Sequence, residues 1–408
     1  MMKGVKIKDV QIKHDWEVKH GTVYGDEEAE VLLQVLSGRA PSCGPRVVEF
    51  QEAFAAYCGT DYALAVTSAT TGLSLAAIAV GVEPGDEVIT TPLSWIATAT
   101  AFSALGAKVR FCDVDSRTLN MDPQALERLI TPRTRAIVPV HLYGQCCDME
   151  AINRIAKSHG IPVIDDCAHA PGATFQSVKT GALANISVFS FQQQKNLSTL
   201  GEGGMVTTSN REYYERVLSY RSLCCRTYGG SDKYLAIDES KYPMNKKYWE
   251  LQFDDIGFNY RMTDAQAAVG TVQLRKLDEF NARRQEIAEK ITDVVTSIGG
   301  ISPPFVDPRG THVFHLYMFQ LDESFPVGKV DLMWRLYNDY GIKAWSHYLP
   351  IHLTRPYRDR GHAEGECPVT EEVVKRHVVL PIHPRLTDEA LDYLKQSIWD
   401  IIQTTEGT

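Results

Sequence analysis

The chain has 408 residues, of which 44% are hydrophobic and 23% charged. That is the make-up of a globular protein with ample material for a core, and it excludes long disorder, collagen and coiled coil. Its 42 Lys and Arg against 51 Asp and Glu give a net charge of −9, which argues against general binding to nucleic acid or to an anionic membrane.

The opening MMKGVKIKDV holds no apolar run of signal-peptide length, and the most apolar stretch, residues 75–82, is too short to span a bilayer. The nine Cys are scattered and none forms a C-x-x-C. Reduced thiols in a cytoplasm are the expectation. The adjacent pairs Cys146-Cys147 and Cys224-Cys225 are expected to be structural thiols.

From residue 61 onward, short β-branched runs alternate with helical patterns. The expected order is strand 63–66, helix 72–79, strand 87–91, helix 96–105, strand 108–114, helix 123–130, strand 135–141, helix 149–159 and strand 162–165. Two further strands follow at 187–191 and 204–208. Such alternation predicts an α/β fold whose parallel or mixed sheet carries helices on both faces. Ligands of such sheets gather where strands end. After about residue 280 the texture changes to an amphipathic helix 280–298, a strand 312–321 and helices 331–340, 371–377 and 389–403. The expected division is an N-terminal arm 1–26, a large domain 27–280 and a smaller α+β domain 281–408.

Three segments carry candidate chemistry. In the first, a strand ending at Ser190 runs through Phe-Gln-Gln-Gln to Lys195, followed by the glycine cluster 201–204. A Lys desolvated at a strand end loses basicity and becomes a nucleophilic amine able to form a Schiff base. In the second, the apolar strand 163–164 enters Asp165-Asp166-Cys167-Ala168-His169. A strand-end carboxylate can hold a protonated ring nitrogen such as the pyridinium of pyridoxal phosphate. In the third, Thr67-Ser68-Ala69-Thr70-Thr71 lies between a strand and an apolar helix, where hydroxyls and free N–H groups make an anion site. Trp95 opens the next helix and can stack on an aromatic ring. Taken singly, each has a plainer reading: a surface lysine in a turn, an Asp capping a turn, a helix cap, a core tryptophan.

Together the segments resemble the DegT/DnrJ/EryC1/StrS family of pyridoxal-phosphate-dependent sugar aminotransferases. The resemblance runs from about Gly38 to Pro384. Its markers are Gly85-Asp-Glu-Val-Ile89, Pro139-Val-His-Leu-Tyr-Gly144, Asp165-Asp-Cys-Ala-His-Ala170, Ser190-Phe-Gln-Gln-Gln-Lys195, Gly201-Glu-Gly-Gly204, Gly257-Phe-Asn-Tyr-Arg-Met262 and His347-Tyr-Leu-Pro350. It implies the fold type I, aspartate-aminotransferase-like architecture and pyridoxal 5'-phosphate as cofactor, with no metal. By position, Lys195 would carry the cofactor as a Schiff base and shuttle the proton, and Asp166 would pair with the pyridine nitrogen. His169 would stand near the phenolic oxygen and Trp95 would stack on the ring. Ser68, Ala69, Thr70 and Ser190 would surround the phosphate. Asn259 would reach toward the phosphate of a neighbouring subunit, which implies a homodimer. The sequence departs from the family pattern in Ser68-Ala69-Thr70, where Ser-Gly-Thr is usual, and in Asp165-Asp166, where Glu-Asp is common.

The implied activity is transamination from glutamate or glutamine to a keto-sugar, free or nucleotide-linked, or to a keto-cyclitol, as in amino-sugar biosynthesis. The acceptor is expected between the Lys195 loop, the His347-Tyr348 segment and the 257–262 loop, in a polar pocket. Loop 224–247 and residues 345–360 are expected to choose it. The rivals are a pyridoxamine-phosphate-dependent sugar dehydratase of the same family, against which Lys195 argues because that branch carries His there, and a non-catalytic regulator on the same fold. No G-x-G-x-x-G follows a strand, and neither H-E-x-x-H nor C-x-x-C occurs, which disfavours nicotinamide and zinc enzymes.

Overall fold

The computed structural model describes residues 11–38, 42–226 and 252–406. Most of the 224–247 loop and the first ten residues of the expected arm lie outside the described residues.

The central sheet contains β1 (Tyr62–Val66), β2 (Glu87–Thr90), β3 (Lys108–Phe111), β4 (Thr134–Val138), β5 (Ile164–Asp166), β6 (Ile186–Ser190) and β7 (Gly204–Thr208). Two ladders, β3-β2-β4 and β5-β6-β7-β1, are joined by parallel bridges from Ile137 to Val163 and from Val140 to Asp166. Helices Ala69–Ala79, Ala97–Ser103, Pro123–Leu129 and Met149–His159 supply crossovers, and the strands they connect run parallel. No helix separates β6 from β7, so the chain turns straight back and β7 runs antiparallel to both β6 and β1. That return loop carries Lys195. Every residue of β2, β5, β6 and β7 is buried, as befits a sheet covered on both faces.

Helix Asp264–Thr296, 33 residues long, starts at a capping box between Thr263 and Gln266. Its first half packs Ala267, Leu274 and Leu277 with Phe50, Phe54 and Phe189. Its second half places Ile287, Ile291 and Val295 in a separate core with Tyr317, Phe319 and Ile398. The expected domain limit at residue 281 falls inside this helix, and Trp16 of the expected arm is buried in the C-terminal core. There the strands Ile301–Ser302, Tyr317–Leu321 and His377–Leu380 form an antiparallel sheet.

Three expectations differ in detail. The strand expected over 312–321 is confined to Tyr317–Leu321; Phe314, at φ 42°, breaks the extended run before it. The helix expected over 280–298 is the second half of Asp264–Thr296, and the one expected over 371–377 is Pro368–Arg376, with His377 opening a strand. Helices Asp26–Ser37, Pro45–Cys58 and Arg211–Arg221 were not expected. No helix among the described residues is long and apolar enough to cross a membrane.

Candidate active site

A cavity of about 460 Å³ opens where β1, β2, β5 and β6 end and β7 begins. Ser68, Ala69, Thr70, Trp95, Asp166, His169, Ser190 and Lys195 all line it. Asn259 does not. It is exposed, on a stretch whose backbone is pinned to Arg221, Leu223 and Thr67.

Asp166 ends β5 and is buried. Its Oδ2 accepts from Thr98 Oγ1 at 2.7 Å and its Oδ1 from the Ala168 N–H at 3.0 Å. Burial pushes its pKa up, while these bonds and the charge of Lys195 oppose the rise. Asp165, one residue earlier in a pleated strand, faces the other way. Its Oδ2 lies 3.1 Å from His141 Nε2, and His141 Nδ1 accepts the Cys147 N–H at 3.1 Å. His141, Asp165 and Cys167 cluster tightly enough for a metal, but both ring nitrogens of His141 are already used in hydrogen bonds, so the group reads as a buried polar support. None of the nine cysteines is in a disulfide.

Lys195 is half-buried by exposure, yet the walls around its amine exclude enough water to bring its pKa down to about 8; Asp166 pulls the other way. Nζ lies 3.4 Å from His315 Nε2. His169 is buried and held neutral, first by desolvation and then by Lys195. The Tyr348 hydroxyl meets its Nε2 at 3.1 Å. With the phenol as donor, the ring proton sits on Nδ1, a buried atom with no partner among the described residues.

Helix Ala69–Ala79 begins at Ser68, whose Oγ accepts the Thr71 N–H. The Ala69 and Thr70 N–H groups are left without intrahelical partners, at the positive end of the helix dipole. Ala69 takes an ordinary helical place, so the missing glycine costs nothing here. The close approach is made from the other side: a Cβ on Gly204 would fall 2.6 Å from Ser68 C and 2.8 Å from Ala69 N. Trp95 is 58% exposed and meets Tyr348 edge-on, with centroids 6.3 Å apart.

Several residues at the cavity carried no sequence signal. Thr98, His315 and Val18 reach it only through the fold, whereas Trp345 belongs to the 345–360 stretch expected to choose the acceptor. The cavity is also less polar than expected: Val18, Leu73, Trp95, Leu316 and Trp345 form apolar wall, which suits the faces of an aromatic cofactor and the C–H face of a sugar ring.

Pyridoxal phosphate needs an amine, a carboxylate for its ring nitrogen, an anion site and a donor for its phenolic oxygen. Lys195, Asp166, the Ser68–Thr70 helix start and the unpartnered Nδ1 of His169 supply these four in one cavity, so the residues present fit the cofactor.

Comparison with known proteins agrees. The profile of the DegT/DnrJ/EryC1/StrS aminotransferase family matches residues 23–398. The spore coat polysaccharide biosynthesis protein SpsC of Bacillus subtilis (strain 168) is 37% identical over 383 residues, 93% of this chain and 95% of that protein. GDP-perosamine synthase of Caulobacter vibrioides is 37% identical over 369 residues, 90% of this chain and 93% of that protein. The structure of S. venezuelae DesV in complex with a ketimine intermediate superposes with a TM-score of 0.81 at 32% identity, covering 92% of this chain and 94% of that one. Architecture, cavity and relatives converge: the chain belongs to the DegT/DnrJ/EryC1/StrS aminotransferase family and is a pyridoxal-phosphate-dependent aminotransferase of its fold.

Proposed function

We propose that this aminotransferase moves an amino group from glutamate or glutamine to the keto carbon of a sugar, free or nucleotide-linked, or of a cyclitol. The donor leaves as its 2-oxo acid and the acceptor's C=O becomes an amine. The observation that carries the reading is the convergence of the Lys195 amine, the Asp166 carboxylate and a free helix N-terminus on one cavity. The 37% identity to GDP-perosamine synthase favours a nucleotide-linked acceptor.

In this reading Lys195 holds the cofactor and moves the proton. With a pKa near 8, it offers a neutral fraction at neutral pH that an ordinary lysine lacks. Asp166 bonds the pyridine nitrogen as a carboxylate, fixed in place by Thr98 and the Ala168 N–H. His169 donates through Nδ1 to the phenolic oxygen, Trp95 covers the ring, and Ser68, Ala69, Thr70 and Ser190 hold the phosphate. The cofactor supplies the electron sink. Asn259 serves the phosphate of a second copy across a two-fold axis. Its exposure, with Phe253 and Ile256 also exposed nearby, supports a contact there. The protein is then a homodimer acting in a cytoplasm.

The test is incubation of the cofactor-loaded protein with glutamate or glutamine and a panel of nucleotide-linked keto-sugars, free keto-sugars and keto-cyclitols. An aminated acceptor formed in step with a 2-oxo acid is expected. A deoxygenated, unaminated product would favour the dehydratase. No product from any acceptor, with the cofactor covalently held, would oppose the whole reading.

A further inference from the structure

We propose that His315 is the hydrogen-bond acceptor that aims the Lys195 amine, and that Arg284 and the bent backbone at Phe314 hold it against that amine. The inference rests on Lys195 being the amine that holds the cofactor.

Nζ of Lys195 has one side-chain hydrogen-bond contact among the described residues, His315 Nε2 at 3.4 Å. Asp166 is near enough to be felt as charge, but its hydrogen bonds among the described residues go to Thr98 and the Ala168 N–H and not to Nζ. An ammonium has only donors, so Nε2 is the acceptor and the ring proton of His315 sits on Nδ1. When the amine is neutral, the same contact occupies one N–H and leaves the lone pair pointed away from the imidazole. A lysine side chain otherwise turns freely about four bonds, and this contact removes that freedom where a nucleophile needs it removed.

The ring is held from several sides. The main-chain N–H of His315 donates to the Tyr143 carbonyl at 2.8 Å, which fixes the backbone that carries the ring. The ring stacks on His169, with centroids 4.5 Å apart and planes 26° apart. Arg284 is completely buried and makes no salt bridge among the described residues. It donates instead to carbonyls of Phe314 (2.9 Å), His315 (3.4 Å), Ile382 (2.6 Å) and Gly21. A buried guanidinium whose partners are all main chain, with Nε left without one among the described residues, is costly, and its pKa falls to about 9 through burial and the charge of Arg385. Its bonds converge on the segment where Phe314 adopts φ 42°, in the left-handed region that a bulky residue rarely enters. Such an outlier persists only where its surroundings over-determine it, and it points to function. Here it keeps this stretch out of the strand that starts at Tyr317 and sets the next residue, His315, on Lys195. His315 and Arg284 are thus positioning residues acting through Lys195.

The test uses the cofactor-free protein and variants His315→Phe, His315→Leu and His315→Gln. Phe and Leu remove the acceptor, while Gln supplies an amide oxygen. Covalent capture of pyridoxal phosphate is followed by stopped-flow absorbance. Affinity for pyridoxine 5'-phosphate, which lacks the aldehyde, is measured in parallel. Capture should slow about tenfold in the Phe and Leu variants, the loss expected for one hydrogen bond to a charged or reacting amine. The Gln variant should recover most of the rate, and analogue affinity should stay at the parental value in all three. Parental capture by either the Phe or the Leu variant would overturn the proposal. So would equal losses of capture and analogue affinity in all three, which marks His315 as packing. Reduction of the loaded parent and peptide mapping separates the two readings: label away from Lys195 defeats the premise, whereas label on Lys195 with unchanged capture rates defeats only the role of His315.

Discussion

The Oδ2 of Asp165 lies 3.1 Å from Nε2 of His141, on the face of β5 turned away from the cavity that Asp166 lines. Two consecutive carboxylates thus divide their work by the pleat of one strand. One belongs to the site, and the other is a buried support that never sees the ligand.

His141→Leu should leave that support uncompensated, an unpaired carboxylate in the core. A loss of about 3–5 kcal/mol is expected in denaturant unfolding. The fraction that folds should still capture the cofactor. A loss below about 1 kcal/mol would mean that the pair carries little.

Gly204→Ala should damage the phosphate site from behind. Its methyl group would sit 2.6–2.8 Å from the backbone of Ser68, Ala69 and Phe189, and backbone cannot step aside as a flexible side chain can. Overpacking of this kind costs about 1–3 kcal/mol. Because the strain falls on the helix start, pyridoxal phosphate should bind at least about tenfold more weakly, read by equilibrium titration. Unchanged affinity would remove the Ser68–Thr70 turn from the phosphate site.

The pH behaviour of Lys195 follows from its surroundings. Desolvation disfavours the ammonium and brings its pKa to about 8 from 10.5. Competitive acylation of the cofactor-free protein, mapped by peptide, should therefore show Lys195 half-reactive near pH 8, well below exposed lysines. The folded protein binds fewer protons than the unfolded chain between those two values, so its stability should climb as pH rises through that window. Asp166→Asn removes the charge that supports the ammonium, so the half-point should move to lower pH. A half-point at that of the exposed lysines would contradict this account.

A site shared between two subunits, as proposed, predicts complementation. Lys195→Ala and Asn259→Ala should each be inactive alone. A mixed dimer carries one doubly damaged site and one intact site, so activity should return on mixing. No recovery, with subunit exchange confirmed by mass, would place the whole site within one chain.

Much of the site was legible because its residues sit at the ends of strands whose apolar, β-branched runs announce themselves. Asp166, Ser190 and Lys195 follow such runs directly. What stayed hidden comes from distant chain. His315 reaches Lys195 across 120 positions, and Thr98 reaches Asp166 across 68; no local pattern encodes either contact. The stretch 312–316 alternates like a strand, and it is tertiary bonds, those of Arg284 with those to Tyr143 and Gly144, that hold it bent at Phe314. The cap at Thr263 is legible at the start of helix Asp264–Thr296, yet only its second half, 280–298, shows the pattern of a long amphipathic helix, because the first turns are rich in small residues. Val18 in the apolar wall carries no local signal either, because it comes from the far end of the chain.

In the proposed reading the Lys195 amine is the group that takes the cofactor. Borohydride reduction of the pyridoxal-phosphate-loaded protein, followed by proteolysis and mass mapping of the pyridoxyl group, tests it most directly. One label per chain is expected, on Lys195, and none on the Lys195→Ala variant. Stoichiometric label on any other lysine of the parent protein would contradict it.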